Sequence, residues 1–213
     1  MRARVYLITT LCAALALSPA LAKDKVKATA DAEQVSCSGV YGAGTSEALV
    51  IETFGAENVV TGPVNGPEGS TYTATTVFPD DPQRTMVFSW FDEEKRVGAS
   101  IIRLSPSQIG PAGVRIGMTA AEVEAANGEP FTLSGFWWDY GGSAGFDSGK
   151  LSGVEGDCYV NLRFAPPEEV PDAIDLTPIS GDIEVPSSEG LLEILDVRVE
   201  QVNLGYASED YAY

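Results

Sequence analysis

Residues 84–91 read RTMVFSWF, and residues 157–164 read DCYVNLRF. Apolar side chains occupy alternate positions in both stretches. Successive side chains of a strand point to opposite faces, so each stretch predicts a half-buried β-strand. The apolar faces comprise Met86, Phe88 and Trp90 in the first stretch and Cys158, Val160, Leu162 and Phe164 in the second. The other face of the second strand carries Tyr159, Asn161 and Arg163, and we expect it to be the less buried side.

A short helix is predicted before each of these strands. The first covers residues 47–54 behind a hydroxyl cap at Thr45-Ser46. The second starts at Thr119, has Glu122 in the capping-box position and ends at Asn127-Gly128. Both patterns are typical of helix ends. Each helix is only about two turns long, so packing against other elements must stabilise it.

The order of these segments suggests an internal duplication. Each helix is followed by two predicted strands, at residues 70–78 and 84–91 in the first half and at 131–138 and 157–164 in the second. The strand pairs Met86/Val160, Phe88/Leu162 and Trp90/Phe164 lie 74 residues apart, and Leu104-Ser105-Pro106 recurs 72 residues later as Leu176-Thr177-Pro178. Similarity at a near-constant spacing is typical of tandem repeats.

We therefore predict an α+β fold in which two short helices pack on an antiparallel sheet, built as tandem helix-then-strands repeats. Repeat 1 is placed at about residues 41–106, repeat 2 at about 114–180, and a last strand at about 196–206. Residues 105–113 contain Pro and Gly and would join the copies, and residues 165–190 would form long loops. An all-β sandwich is the alternative fold.

The first 22 residues have the pattern of a secretory signal peptide. Residues 1–4 carry positive charge, residues 5–17 are apolar, and small residues lead to a cleavage position after Ala22. The apolar run is shorter than the roughly 20 residues that a membrane-spanning helix needs, and no later segment approaches that length. We expect a periplasmic or secreted protein without a membrane span, with a flexible leader over residues 23–34 and one folded unit over 35–213.

The chain holds 31 acidic and 13 basic residues, a formal net charge of −18 at pH 7, and no histidine. Because nucleic-acid binding depends on Lys and Arg at the phosphates, this charge argues against a nucleic-acid partner. The acidity suits solubility or a saline medium, and capture of a cationic partner or of cations is the alternative. Without histidine, the Gly-x-Ser-x-Gly match at residues 141–145 lacks the base of a serine triad, and zinc lacks a common ligand. The acidic stretches also lack calcium-loop spacing, so we predict no catalytic residue, no metal and no cofactor.

Two cysteines, Cys37 and Cys158, follow the predicted signal peptide. An oxidising compartment makes one disulfide the default for such a pair, and two separate buried thiols are the alternative. We predict a disulfide that ties the first ordered segment to the second repeat.

The densest cluster of aromatic residues is Phe136-Trp137-Trp138-Asp139-Tyr140, followed by Gly141-Gly142. Such a cluster packs a core face, or it presents aromatic side chains to a partner, since aromatic residues dominate interface hot spots. The candidate binding residues are Trp137, Trp138, Asp139 and Tyr140. Asp139 between two aromatic residues also allows a carboxylate-based glycosidase, which would need a second carboxylate across a cleft.

The segment GMTAAEV at residues 117–123, with Asn127-Gly128-Glu129-Pro130 after it, resembles the helix start of domains shaped like the beta-lactamase inhibitory protein and the small outer-membrane lipoproteins. That resemblance implies a helical layer on an antiparallel sheet and the binding of other proteins. Residues 127–142 are also similar to an uncharacterised family of exported bacterial proteins, which implies no activity. We expect a non-enzymatic module that binds an exported or envelope protein. The alternative is a carboxylate-dependent hydrolase of cell-wall or extracellular glycan.

Overall fold

A seven-stranded antiparallel sheet organises the chain in the computed structural model, which describes residues 32–208. The strands are β1 (Glu33–Gln34), β2 (Val59–Asn65), β3 (Thr71–Val77), β4 (Met86–Asp92), β5 (Val97–Arg103), β6 (Gln108–Ile109), β7 (Thr132–Ser134), β8 (Ser143–Ala144), β9 (Cys158–Ala165), β10 (Glu184–Pro186) and β11 (Arg198–Tyr206). The large sheet has the order β2-β3-β4-β5-β11-β9-β8, while β1 pairs with β6 and β10 with β7. The predicted α+β class is confirmed, with strand as the larger part.

Within residues 32–208, three α-helices accompany the sheet: α1 (Glu47–Phe54), α2 (Ala120–Asn127) and α3 (Gly190–Ile194). The Ser46 side chain caps α1, and Thr119 and Glu122 form the capping box of α2. Both helices therefore begin and end where their sequence signals predict. The five-residue α3 was not predicted, because its cap is Glu189, outside the usual set of capping residues, in a segment that reads as loop.

The helices and one face of the sheet enclose the hydrophobic core. Val50 of α1, Val123 of α2 and Leu192 of α3 are buried in one cluster with Phe88 of β4 and Leu162 of β9. The alternating apolar residues of both predicted strands thus form the core face, as their pattern indicates. All three helices contribute to this one side of the sheet.

The two halves of the sheet pair their strands in the same way. Phe88 of β4 lies opposite Ile102 of β5, and Leu162 of β9 lies opposite Val202 of β11. In both strand pairs the register shifts two positions further along, which marks a β-bulge at the corresponding place. The strands β5 and β11 lie side by side and join the halves. In the second half, β11 thus occupies the place of β5, beyond the limit of about 180 that we placed on the second repeat. The duplication itself stays a prediction.

The structure contains strands that the sequence pattern did not predict. Strands β2 and β5 were not predicted, because Gly62-Pro63 and Gly98 interrupt their apolar alternation. Residues 33–34, predicted to be the end of a flexible leader, form β1 and pair in parallel with β6. The predicted signal peptide, residues 1–22, and the leader residues 23–31 lie outside the described part of the chain.

The predicted disulfide is confirmed. Cys37 and Cys158 are bonded, with their Cα atoms 6.2 Å apart and 121 residues between them in sequence. The bond joins the segment after β1 to the first residue of β9. None of the helices within residues 32–208 is both long and apolar enough to cross a membrane.

Candidate functional site

The sheet surface opposite the core is the candidate site, and we call it the open face. Two rows of side chains run across its central strands. One row is Val87, Arg103, Asn203 and Asn161, and the other is Ser89, Ile101, Gly205 and Tyr159. These residues and Tyr72 line a cavity of about 230 Å³. Ile101 and Tyr159 are 43% and 52% exposed, so the open face is accessible.

The Tyr159 ring lies against the sheet because its cross-strand partner, Gly205, has no side chain. A Cβ atom built on Gly205, its cross-strand partner, would lie 2.2 Å from Cζ of Tyr159. The tyrosine ring therefore covers the backbone of β11, in the space that any other residue would fill. Aromatic cover of a strand glycine is a known stabilising arrangement. It leaves Tyr159 as a fixed aromatic surface in the middle of the open face.

Two amide side chains place polar groups beside this ring. The Asn161 side-chain amide donates to the Ala144 carbonyl at 3.1 Å, and Asn203 donates to Asn161 Oδ1 over 3.5 Å. The Asn203 Oδ1 atom is buried and has no hydrogen-bond partner among residues 32–208. Because Asn161 is hydrogen-bonded to Ala144 of β8, the side-chain amides of Asn161 and Asn203 are held in one orientation.

A second cavity, of about 460 Å³, adjoins the first and shares Tyr72 and Arg103 with it. Its wall includes Arg163 and Gln201 from β9 and β11, together with residues 65–69 from the end of β2 and the turn that follows it. The remaining wall residues are Trp138 and Asp139, from the loop between β7 and β8. Two distant parts of the chain thus flank the same surface.

The aromatic segment is a loop rather than the strand predicted for residues 131–138. The strand ends at Ser134, because the Gly135 and Phe136 amides donate to the carbonyls of Ile183 and Ile179 instead of to a neighbouring long strand. Trp137 has a φ of 64°, which is rare for a bulky residue and turns the chain.

Glycine allows this loop to approach the sheet closely. A Cβ atom on Gly142 would lie 1.9 Å from the Phe164 carbonyl oxygen, and the Gly142 φ is 75°. Any other residue at this position would push the loop away from β9. The sequence Gly141-Gly142 after the aromatic cluster therefore seats the loop on the sheet.

The four candidate residues divide into two pairs. Trp138 and Asp139 line the larger cavity, and the Trp138 indole N–H donates to the Gly135 carbonyl at 2.8 Å. Trp137 and Tyr140 lie outside that wall and are exposed. The aromatic residue of this cluster that packs in the core is Phe136. The loop therefore combines one core anchor with exposed aromatic residues.

Two arginines, Arg103 and Arg163, carry the positive charge of the open face. Arg103 makes no ion pair with any residue in the described range 32–208. The nearest pairing of Arg163 is with Glu200 at 3.9 Å, and both side chains are more than a third exposed. Such a pair contributes little, since solvent screens it. The open face thus carries available positive charge in a chain of net charge −18.

The groups with shifted pKa values lie away from the open face. Burial raises the pKa of Tyr41, and the neighbouring Glu33 carboxylate raises it further. Burial also raises the pKa of Tyr206 to about 12. At the start of α1, burial raises the pKa of Glu47, but hydrogen bonds from Thr61 and Arg96 outweigh it and lower the pKa. Tyr41 and Tyr206 belong to the core cluster, and Glu47 is the first residue of α1.

The open face offers binding groups and few catalytic ones. No cluster of three or more His, Cys, Asp or Glu side chains suited to a metal occurs in the part of the chain that the structure describes. Two carboxylates, Glu68 and Asp139, line the larger cavity, and both side chains are exposed. The arrangement can donate hydrogen bonds from two guanidinium groups and can stack aromatic rings.

Sequence reasoning missed most of this site. Tyr159, Asn161 and Arg163 were placed on the less buried side of their strand, but nothing marked them as binding residues. Arg103 lies on a strand that was not predicted, and Asn203 meets it only because β5 pairs with β11. Comparison of this chain with protein-family models, curated sequences and solved structures finds no match.

Proposed function

We propose that this chain is an exported, non-enzymatic binding module that holds another exported or envelope protein against its open face. The observation that carries the proposal is the composition of that face. It combines exposed Tyr159 and Ile101 with Arg103 on a rigid sheet whose other side is the core. Aromatic residues and arginine are the residue types enriched in protein interfaces and their hot spots.

The rigidity of the open face favours binding. A surface that is already ordered loses less conformational entropy when a partner associates. Strands β4, β5, β11 and β9 form one continuous ladder beneath the site, and Tyr159 is fixed over Gly205. The aromatic loop adds Trp137 and Tyr140 at the rim, where a partner larger than the cavities would contact them.

Export is supported by the predicted signal peptide and by the disulfide. Structural disulfides persist in oxidising compartments and are rare in the cytosol. The Cys37–Cys158 bond fits a periplasmic or extracellular location. The resemblance of residues 117–130 to domains that bind other proteins points in the same direction.

Site-specific photo-cross-linking tests the proposal. Tyr159 and Ile101 are replaced, one at a time, by p-benzoylphenylalanine in cells that export the protein. Ile194, which lies in α3 on the opposite side of the sheet and is 68% exposed, serves as the matched control. We expect discrete adducts from both open-face positions and none from position 194. Adducts from position 194 alone, or from none of the three, would contradict the proposal.

A carboxylate-dependent glycan hydrolase is the second candidate, because Glu68 and Asp139 line one cavity. An acid and a base or nucleophile on either side of a glycosidic bond suffice for hydrolysis. This function predicts release of reducing ends from purified peptidoglycan that Glu68→Gln and Asp139→Asn each abolish. Asp182→Asn, at an exposed acid outside the cavity, is the control and should change nothing. Turnover with these properties would replace the binding proposal.

A further inference from the structure

We infer that the open face recognises carboxylate groups, so that the partner presents an acidic polypeptide segment with an apolar or aromatic side chain beside the acid. This inference rests on the proposed function and names the chemistry of its partner. The carboxylate is expected at Arg103, the one charged residue on the wall of the smaller cavity. The apolar side chain is expected over Ile101 and Tyr159, in the same cavity.

The distribution of charge supports this inference. The chain has 31 acidic side chains, yet on the open face the central strands β3, β4, β5, β11 and β9 carry one of them, Glu200 at the bulge of β11. The other outward positions of these strands include Tyr72, Ala74, Thr76, Val87, Ser89, Ile101, Arg103, Gln201, Asn203, Gly205, Tyr159, Asn161 and Arg163. The nearby carboxylates are Glu200, Glu68 and Asp139, at the bulge and on the cavity wall. These carboxylates lie toward Arg163 and the larger cavity, whereas the wall of the smaller cavity has Arg103 and no acid, so the charge favours an anion at Arg103.

Arg103 is the better placed of the two arginines. It lies at the centre of the sheet, between Val87 of β4 and Asn203 of β11. It has no carboxylate partner among the described residues, whereas Arg163 has Glu200 at 3.9 Å. A guanidinium group presents a planar set of donors that matches a carboxylate bidentately. Arg103 therefore provides the main recognition, and Arg163 and the Gln201 amide extend it.

The surroundings favour a polypeptide over an acidic glycan. Ile101 lies two residues before Arg103 on the same face of β5 and is 43% exposed, and Val87 lies directly opposite Arg103. These aliphatic groups would leave sugar hydroxyls without hydrogen-bond partners, which costs free energy on binding. An Asp or Glu next to a large apolar residue would satisfy both the guanidinium and the aliphatic groups.

The experiment uses small probes and nuclear magnetic resonance of the mature protein. Phenylacetate carries a carboxylate beside an aromatic ring, phenylacetamide is its neutral counterpart, and benzylamine is a cationic one. We expect phenylacetate to cause saturable shifts of the Arg103 and Arg163 Nε–H signals and of the Asn203 side-chain amide. Loss of a charge-assisted hydrogen bond should weaken phenylacetamide binding about tenfold. Benzylamine should cause no shift at these groups.

Variants assign the binding to the arginines. Arg103→Gln should weaken phenylacetate binding about tenfold, and Arg163→Gln less, because Arg163 is already paired with Glu200. Arg115→Gln, at an exposed arginine away from both cavities, is the matched control and should bind like the unaltered protein. Arg103→Lys keeps the charge but loses the planar donor set, so its affinity for phenylacetate should lie between those of the unaltered protein and Arg103→Gln. Well-dispersed spectra of each variant establish that it is folded.

Several results would overturn the inference. These are equal binding of phenylacetate and phenylacetamide, binding unaffected by Arg103→Gln, and no shift with any probe. Tighter binding of glucuronate than of phenylacetate at the same groups would assign the face to an acidic glycan. If the cross-links from Tyr159 and Ile101 form while the carboxylate probes fail, the proposed function stands and only the partner chemistry is wrong.

Discussion

The two halves of the sheet share a register but differ in the chain that connects their strands. In the first half, four strands follow one another through short turns between Val59 and Arg103. In the second half, β8, β9 and β11 are spread from Ser143 to Tyr206, and loops precede and separate them. Those loops supply Trp138 and Asp139 to the larger cavity. The two halves thus share strand geometry, but loops of the second half contribute residues to the wall of the candidate site.

The difference extends to the two faces of the sheet. On the core face, the matching positions Phe88 and Leu162 are both apolar and fully buried, because each must fill the same kind of space. On the open face, Arg103 matches Asn203, which is different in chemistry. The two central arginines therefore occupy non-matching positions. Packing therefore requires apolar residues on the core face in both halves, whereas the residues of the open face can differ between the halves.

The disulfide gives the largest effect expected from this comparison, because it attaches the first residue of β9, in the second half, to the segment that follows β1. The bond closes a loop with a sequence separation of 121 residues. The chain-entropy model gives a stabilisation of about 4 to 5 kcal/mol for such a loop. Cys37→Ser and Cys158→Ser should each lower the free energy of unfolding by that amount in urea titrations, and the double variant should be little worse. Two reactive thiols per chain in the unfolded, unreduced protein would contradict the bond.

The sequence allowed the core face to be predicted, but not the site. Alternation in residues 84–91 and 157–164 and the caps of α1 and α2 are local signals, and each specifies its element without help from distant residues. The open face depends on β5 meeting β11, which brings Arg103 beside Asn203 across 100 residues of chain. The strand predicted for the aromatic segment was wrong. Its backbone amides donate hydrogen bonds to carbonyls within residues 179–183, and no local sequence pattern reveals that these distant residues lie beside it.

Matched core substitutions sharpen the comparison of the halves. Phe88→Ala and Leu162→Ala should each lower the free energy of unfolding by about 3 kcal/mol, since both create cavities in fully buried sites. Because the core is continuous through β5 and β11, each variant should unfold in one transition by circular dichroism and fluorescence alike. Two separate transitions in either variant would show that the halves unfold independently.

A smaller effect is expected where Tyr159 crosses Gly205. In Gly205→Ala, the new Cβ would meet the tyrosine ring, so the ring must leave its position over β11. Crowding of this kind should lower the free energy of unfolding by about 1 to 2 kcal/mol, measured by urea titration. Tyr159→Ala in the Gly205→Ala background removes the clash and should recover part of the loss. If Gly205→Ala is neutral alone, the ring is not fixed by the glycine.

The smallest expected change in stability concerns the side chains that hold the start of α1 in the first half and of α2 in the second. The start of α1 is held by Glu47, which accepts hydrogen bonds from Thr61 and from the Arg96 guanidinium. The start of α2 relies on the Thr119 and Glu122 capping box. Burial raises the pKa of Glu47, but the two hydrogen bonds outweigh this and bring the pKa below its ordinary 4.5.

A carboxylate with a lowered pKa in the folded state stabilises the protein above its unfolded pKa, and that stability is lost as the pH falls through the folded pKa. Glu47→Gln should therefore cost about 1 kcal/mol at pH 7, a modest value because Arg96 is partly exposed and screened. The difference between the variant and the unaltered protein should shrink as the pH falls below 4.5, because the unaltered protein then becomes protonated at Glu47. Urea titrations from pH 7 to about pH 3 measure this difference. Glu122→Gln, which keeps a capping-box acceptor in α2, should show a smaller change over the same range. A difference between Glu47→Gln and the unaltered protein that persists unchanged to pH 3 would show that the Glu47 carboxylate charge does not hold α1 in place.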